Sequence, residues 1–138
     1  MARSFVTERK IRFSHCDPAG IVYFVHFFDM VSGAVEDWFG EVIGLAFNEM
    51  HLQQRVGFPI VNTGCEFFRP CHLGDRLALE LTIAKLGRSS IEFEVTGRVE
   101  GDEKFRARHK VAMMSLDTLR ALPIPDDLRE KMRPYARA

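Results

Sequence analysis

Along the chain the spacing of apolar residues switches between a period near two and a period between three and four, and these switches divide the sequence into elements. Residues 5–13 alternate toward their end, with Arg9, Ile11 and Phe13 on one side and Lys10 and Arg12 on the other, which predicts a first strand with one wet face. Over 24–39, Phe24, Phe27, Phe28, Val31, Ala34, Val35, Trp38 and Phe39 recur at steps of three and four. That stripe is wide and rich in aromatics, so it predicts a long helix lying across a sheet. Gly40 and Gly44 mark its end, and 46–55 predicts a second, short helix before Gly57.

Strand patterns then follow one another. Pro59 and Pro70 frame a strand over 58–69 without interrupting its ladder. After a turn at 72–75, residues 76–86 set Leu77, Leu79, Leu81 and Ile83 against Ala78, Glu80, Thr82 and Ala84. Gly87-Arg88-Ser89-Ser90 is the next turn, and 91–100 places Ile91, Phe93, Val95, Gly97 and Val99 on one face. Gly101-Asp102 is a hairpin signal, and 104–116 predicts the last long strand, with Arg106, Arg108 and Lys110 sharing one face. Residues 125–132 start with Pro and acids and end with bases, as a short helix does. Consecutive strands with short turns predict an α+β chain: an antiparallel sheet with one long helix on one face.

Composition narrows the class without changing this outline. The 138 residues suit one domain, and 46% hydrophobic with 28% charged residues is wrong for disorder. Nineteen basic and nineteen acidic side chains cancel, which argues against a nucleic-acid footprint and leaves little charge repulsion to oppose self-association. Three cysteines, Cys16, Cys65 and Cys71, lack metal-type spacing and predict a reduced, cytoplasmic protein. The pattern predicts no signal peptide and no membrane span.

The candidate chemistry gathers where the first strand runs into the long helix, at His15-Cys16-Asp17-Pro18-Ala19-Gly20-Ile21-Val22-Tyr23-Phe24. Pro18 fixes its own φ and Gly20 allows unusual angles, so the loop around Asp17 can be tight. The first amides of the helix lack helical partners and carry partial positive charge. On pattern alone this is either a helix-entry loop with an N-terminal acid or a carboxylate set against an oxyanion site. His15, Cys16, Cys65, Cys71 and His72 do not repeat a ligand spacing, and no metal is expected. His26, in the first helical turn, suits either a substrate contact or a local cap.

The string from Ile11 through Cys16-Asp17-Pro18-Ala19-Gly20-Ile21-Val22-Tyr23, together with the order of elements, resembles the hotdog-fold acyl-CoA thioesterases of the 4-hydroxybenzoyl-CoA thioesterase family. The resemblance covers the whole chain as a single domain, 1–138. It implies a five-stranded antiparallel sheet wrapped around one long helix, paired edge to edge into a homodimer and often into a dimer of dimers, with active sites at the dimer interface. It implies Asp17 as nucleophile or general base and the Phe24 amide as oxyanion donor, with Tyr23 beside it. Arg88, Ser89 and Ser90 occupy the place where the family holds the CoA phosphates and pantetheine. No cofactor is implied, since CoA is part of the substrate. The run Phe24-Val25-His26-Phe27-Phe28, with Phe58, Phe67 and Phe68, suits an apolar aromatic or a short to medium acyl group. Two other readings remain: a hotdog enoyl-CoA hydratase and a non-catalytic acyl-CoA-binding protein.

Overall fold

The structure is a computed structural model that describes residues 2–137. Its first strand, β1, is Phe5–Lys10 and stops before the alternation does. Ile11 turns fully into the core and Phe13 is 82% exposed in a 3-10 turn, Phe13–His15, so the two do not share a strand face as the alternation suggests. The long helix α1 is Val25–Trp38, and its buried residues Phe27, Met30, Val31, Ala34, Val35 and Trp38 keep the three- and four-residue steps. It runs on into a π-helical turn, Phe39–Ile43, closed by Gly44 at φ +77, a left-handed angle that glycine adopts without penalty. The expected second helix is a single π-helical turn, Glu49–Gln53, with Met50 buried beneath it.

The sheet strands are β3 (Ile60–Phe67), β4 (Arg76–Leu86), β5 (Ser90–Val99) and β6 (Asp102–Ala112), joined with β1 in the order β1-β4-β5-β6-β3, every pair antiparallel. A small second ladder pairs β2 (Val56–Gly57) with β7 (Met114–Ser115), because the last long strand breaks at Met113. The closing helix α2 is Asp126–Met132. The β5–β6 hairpin turns one residue earlier than its dipeptide suggests. Glu100 and Gly101 are the two central residues, at φ +51 and +83, as a tight primed turn requires.

One face of the sheet makes the core against α1. Leu77, Leu79, Leu81 and Ile83 of β4, Ile91, Phe93 and Val95 of β5, and Phe105, Ala107, His109 and Val111 of β6 are all buried there. Each large apolar side chain so buried contributes about 1.5–3 kcal/mol, so the helix stripe fixes α1 across the sheet centre. Gly97 is required by a close approach, since a Cβ there would lie 2.2 Å from the Phe105 ring opposite it. The outer face is an ion-pair ladder: Arg108 with Glu94 at 2.8 Å, Arg106 with Glu103 at 2.6 Å, and Arg137 with Glu94. Exposed pairs of this kind add little stability and mark a wet face.

Candidate active site

The loop after β1 is a miniature hairpin. Asp17 N–H donates to Ile21 O at 2.9 Å, Gly20 N–H to Asp17 O at 3.0 Å, and Cys16 pairs antiparallel with Val22. Gly20 sits at φ +79, so the turn needs its glycine. The hairpin docks on the segment before β4, with Val22 N–H donating to Cys71 O at 2.9 Å and Leu73 N–H to Gly20 O at 3.0 Å. These backbone bonds hold the Asp17 side chain in place. Its Oδ1 accepts Ala19 N–H at 2.9 Å, while Oδ2 meets no donor among the described residues.

The same hairpin delivers the start of α1. Tyr23 N–H donates to His15 O at 2.9 Å, and Phe24 already has helical angles, φ −54 and ψ −29. No side chain caps the helix and its first turn holds no acid, so its positive end is uncompensated. His26 N–H turns back to Tyr23 O at 3.0 Å, and Phe27 N–H to Phe24 O at 3.1 Å. Among the described residues the Phe24 N–H has no acceptor. A carboxylate with a free oxygen and an amide with a free proton thus stand on the two arms of one hairpin.

Beside Phe24 lies an apolar cleft of about 310 Å³, walled by Val22, Phe24, Phe27, Phe67 and Phe68, with Arg69 its one charged lining residue. Phe67 at the end of β3 meets Phe24 edge-on at 6.2 Å and Phe27 at 5.8 Å, and Phe27 packs on Phe105 at 4.7 Å. Tyr23 and Phe24 are each half exposed. His26 lies with its ring 5.6 Å from His15 and 6.2 Å from Tyr23. Phe58 is a correction to the sequence reading: it is buried on Phe39 at 4.8 Å and lines no part of this cleft. Arg69 carried no signal in the sequence, because only the close of β3 brings it to the aromatic walls.

Arg88, Ser89 and Ser90 are not brought to Asp17 within one chain. They form the β4–β5 turn, where Arg88 O accepts Ile124 N–H at 2.9 Å, Ser89 O accepts Met113 N–H at 2.7 Å, and Gly87 N–H reaches Ser90 O at 2.8 Å. The Asp17 hairpin docks at the opposite end of β4, about 30 Å away at 3.2–3.4 Å per strand residue. Asp37 is engaged structurally, taking the Arg9 guanidinium at 2.7 Å and the Thr7 hydroxyl at 3.3 Å. Glu36 borders a larger cleft of about 580 Å³ between β1 and α1, whose walls mix Glu8, Lys10, Arg12 and Asp29. Burial pushes the Cys65 and Cys71 thiols up to about 11, the wrong direction for nucleophiles. No group of three or more His, Cys, Asp or Glu side chains is gathered for a metal ion among the described residues.

The architecture is thus an antiparallel sheet on one long helix, with a carboxylate loop feeding an uncapped helix start. The chain belongs to the Thioesterase-like superfamily, whose family model matches residues 11–132. It is 30% identical over 129 residues to a 1,4-dihydroxy-2-naphthoyl-CoA hydrolase of Synechocystis sp. (strain ATCC 27184 / PCC 6803 / Kazusa), covering 88% of this chain and 89% of the relative. Among solved structures, a thioesterase-superfamily protein from Jannaschia sp. CCS1 superposes with a TM-score of 0.91 at 27% identity, over 98% of this chain and 94% of that one. A gentisyl-coenzyme A thioesterase superposes with a TM-score of 0.82 at 25% identity, over 91% and 99%. The fold is therefore the hotdog that the sequence predicts. No helix of the structure is long and apolar enough to cross a membrane among the described residues.

Proposed function

We propose that this chain is an acyl-CoA thioesterase whose acyl group is aromatic or a short to medium alkyl chain. The observation that carries the reading is the pairing of Asp17, with one carboxylate oxygen free, and the unengaged Phe24 N–H at the start of α1. A thioester carbonyl bound there directs its oxygen to the Phe24 amide, and the helix terminus adds to the stabilisation as charge develops. Asp17 acts in one of two ways. As nucleophile it attacks the carbonyl carbon, the C–S bond breaks, CoA leaves as the thiol and water cleaves the mixed anhydride. As general base it takes a proton from water, which attacks the carbon directly. Both routes yield the free acid and CoA. The aromatic cleft beside Phe24 would hold the acyl group, and its apolar walls favour a ring or chain without polar substituents.

The edge of the sheet supports a homodimer, assembling further into a dimer of dimers. β3 is a terminal strand, and it is exposed at every residue except Cys65. Ile60, Val61 and Phe67 there are each about half exposed. An open edge of eight residues, with exposed apolar side chains at both ends, is a template for another strand. Two-fold pairing of β3 with its copy sets the Ile60 end of one beside the Phe67 end of the other. That arrangement carries the partner's 88–90 turn from the far end of its own sheet toward this chain's Asp17 hairpin, where Arg88, Ser89 and Ser90 would receive the CoA phosphates. Tyr23 and His26 would border the bound thioester.

The test is thiol release from benzoyl-, phenylacetyl-, short- and medium-chain acyl-CoAs, followed with a thiol reagent. Release from at least one of them is expected. Binding without release from any would establish an acyl-CoA-binding protein instead, and reversible addition of water to an enoyl-CoA would establish a hydratase.

A further inference from the structure

The turn ahead of Asp17 is tied together by one side chain. His15 takes part in three hydrogen bonds: its N–H donates to Arg12 O at 3.0 Å, its ring Nδ1 accepts Arg12 N–H at 2.9 Å, and its carbonyl accepts Tyr23 N–H at 2.9 Å. The last of these closes the hairpin one residue before Phe24. The peptide that carries the Phe24 N–H is then set from both sides. Tyr23 N–H is fixed by His15, and Tyr23 O is fixed by His26 N–H at 3.0 Å. The ring bond and the His15 N–H bond tie His15 to the Arg12 backbone in both directions, one to its N–H and one to its carbonyl. Without the ring bond, residues 12–15 would hold the His15 carbonyl only through the weaker bonds of a single 3-10 turn.

We propose that His15 is a positioning residue for the oxyanion donor: its ring, bonded to the Arg12 N–H, holds the carbonyl that aims the Tyr23–Phe24 peptide. The proposal rests on the reading of the Phe24 amide given above. An acceptor at Nδ1 must be unprotonated, so the working form is the neutral imidazole with its proton on Nε2. The surroundings favour that form. Partial burial, the neighbouring His26 and the Arg12 guanidinium all push the His15 pKa down, against Asp29, which pulls it up. Cys16, whose thiol points at Arg12 O, Tyr23 beside His26, and Glu8, Arg9, Lys10 and Glu36, which line the same cleft as His15, are the other charged or titratable groups around it. Protonation would place a hydrogen on Nδ1 and break the bond to Arg12.

Steady-state thiol release by the full chain tests this with two substitutions. His15→Ala removes the acceptor and is expected to lower kcat roughly tenfold to a hundredfold with KM nearly unchanged, as a misplaced reacting geometry does. His15→Asn puts a carbonyl oxygen close to where Nδ1 lies and is expected to restore most of that loss. Wild-type kcat for His15→Ala, or a loss that His15→Asn does not recover, overturns the proposal. Should the alanine variant fail to fold, the pH profile of His15→Asn carries the test: its kcat holds below pH 6.5 where the wild type declines, and coincident profiles overturn the proposal. Asp17→Asn separates the two readings. If that variant turns over normally, the placing of the chemistry at Asp17 and the Phe24 amide falls; if it is inactive and His15→Ala is not, only the role of His15 does.

Discussion

In the proposed site Asp17 would divide its two oxygens between structure and chemistry. Oδ1 holds the Ala19 amide and stiffens the loop, and Oδ2, which meets no donor among the described residues, would face a reacting group. The Phe24 amide can be tested with unusual directness. Its φ of −54 lies within proline's range, and its N–H makes no bond within the described chain, so Phe24→Pro removes the donor at little cost to the helix. We expect Phe24→Pro to lower kcat by about a hundredfold to a thousandfold, as loss of an oxyanion donor does. Phe24→Leu, which keeps the amide, should retain most of kcat; a proline variant as active as the leucine variant contradicts the assignment. At this scale the sequence was legible where structure is local: the turn at Gly20 and the helix entry at Phe24 follow from neighbouring residues, while the roles proposed for Asp17, Tyr23 and Phe24 come from the family resemblance. The ring of His15 was not legible, because its partner is a backbone amide that only the folded turn presents.

At the scale of elements, the cleft depends on a relay of packing. Gly97 admits the Phe105 ring, Phe105 supports Phe27, and Phe27 forms the cleft wall with Phe67. Gly97→Ala drives a methyl group into that ring and should destabilise the fold by about 1–3 kcal/mol, read as a lower denaturant midpoint, with KM rising as Phe27 shifts. A second element-scale effect comes from His109, buried in β6 with its Nδ1 3.2 Å from the Thr63 hydroxyl of β3. Burial holds its folded pKa below the ordinary 6.5, so the unfolded chain takes the proton first as pH falls. This contribution to stability is complete above pH 6.5 and is lost as pH falls through the folded value. His109→Leu should flatten that acid-side fall in thermal midpoint; an unchanged pH dependence would contradict the reading. The period of the apolar residues identified α1 and the three central strands correctly, since their buried faces are regular. It missed the end of β1, because Ile11 is buried as a turn residue and Phe13 is not buried at all. It also missed the break at Met113, where β7 turns away to pair with β2.

For the whole molecule, net charge, the open edge of β3 and the separation of Asp17 from the 88–90 turn point the same way. A neutral chain with an open edge strand, apolar at both ends, is poorly protected against pairing, and its proposed site is divided between the two ends of one sheet. Light scattering should therefore report a dimer or a dimer of dimers, and Val61→Lys on β3 should give monomers with turnover falling in step. A wild-type monomer with full turnover would contradict a shared site. This level was not readable from the spacing of apolar residues, which shows which side of a strand is buried but not which strand ends a sheet. The central claim, that Asp17 performs the hydrolysis, meets its most direct measurement in Asp17→Asn assayed for thiol release on the best acyl-CoA substrate. The variant should keep the wild-type thermal midpoint and lose nearly all turnover, whereas near-normal turnover would show that the chemistry lies elsewhere.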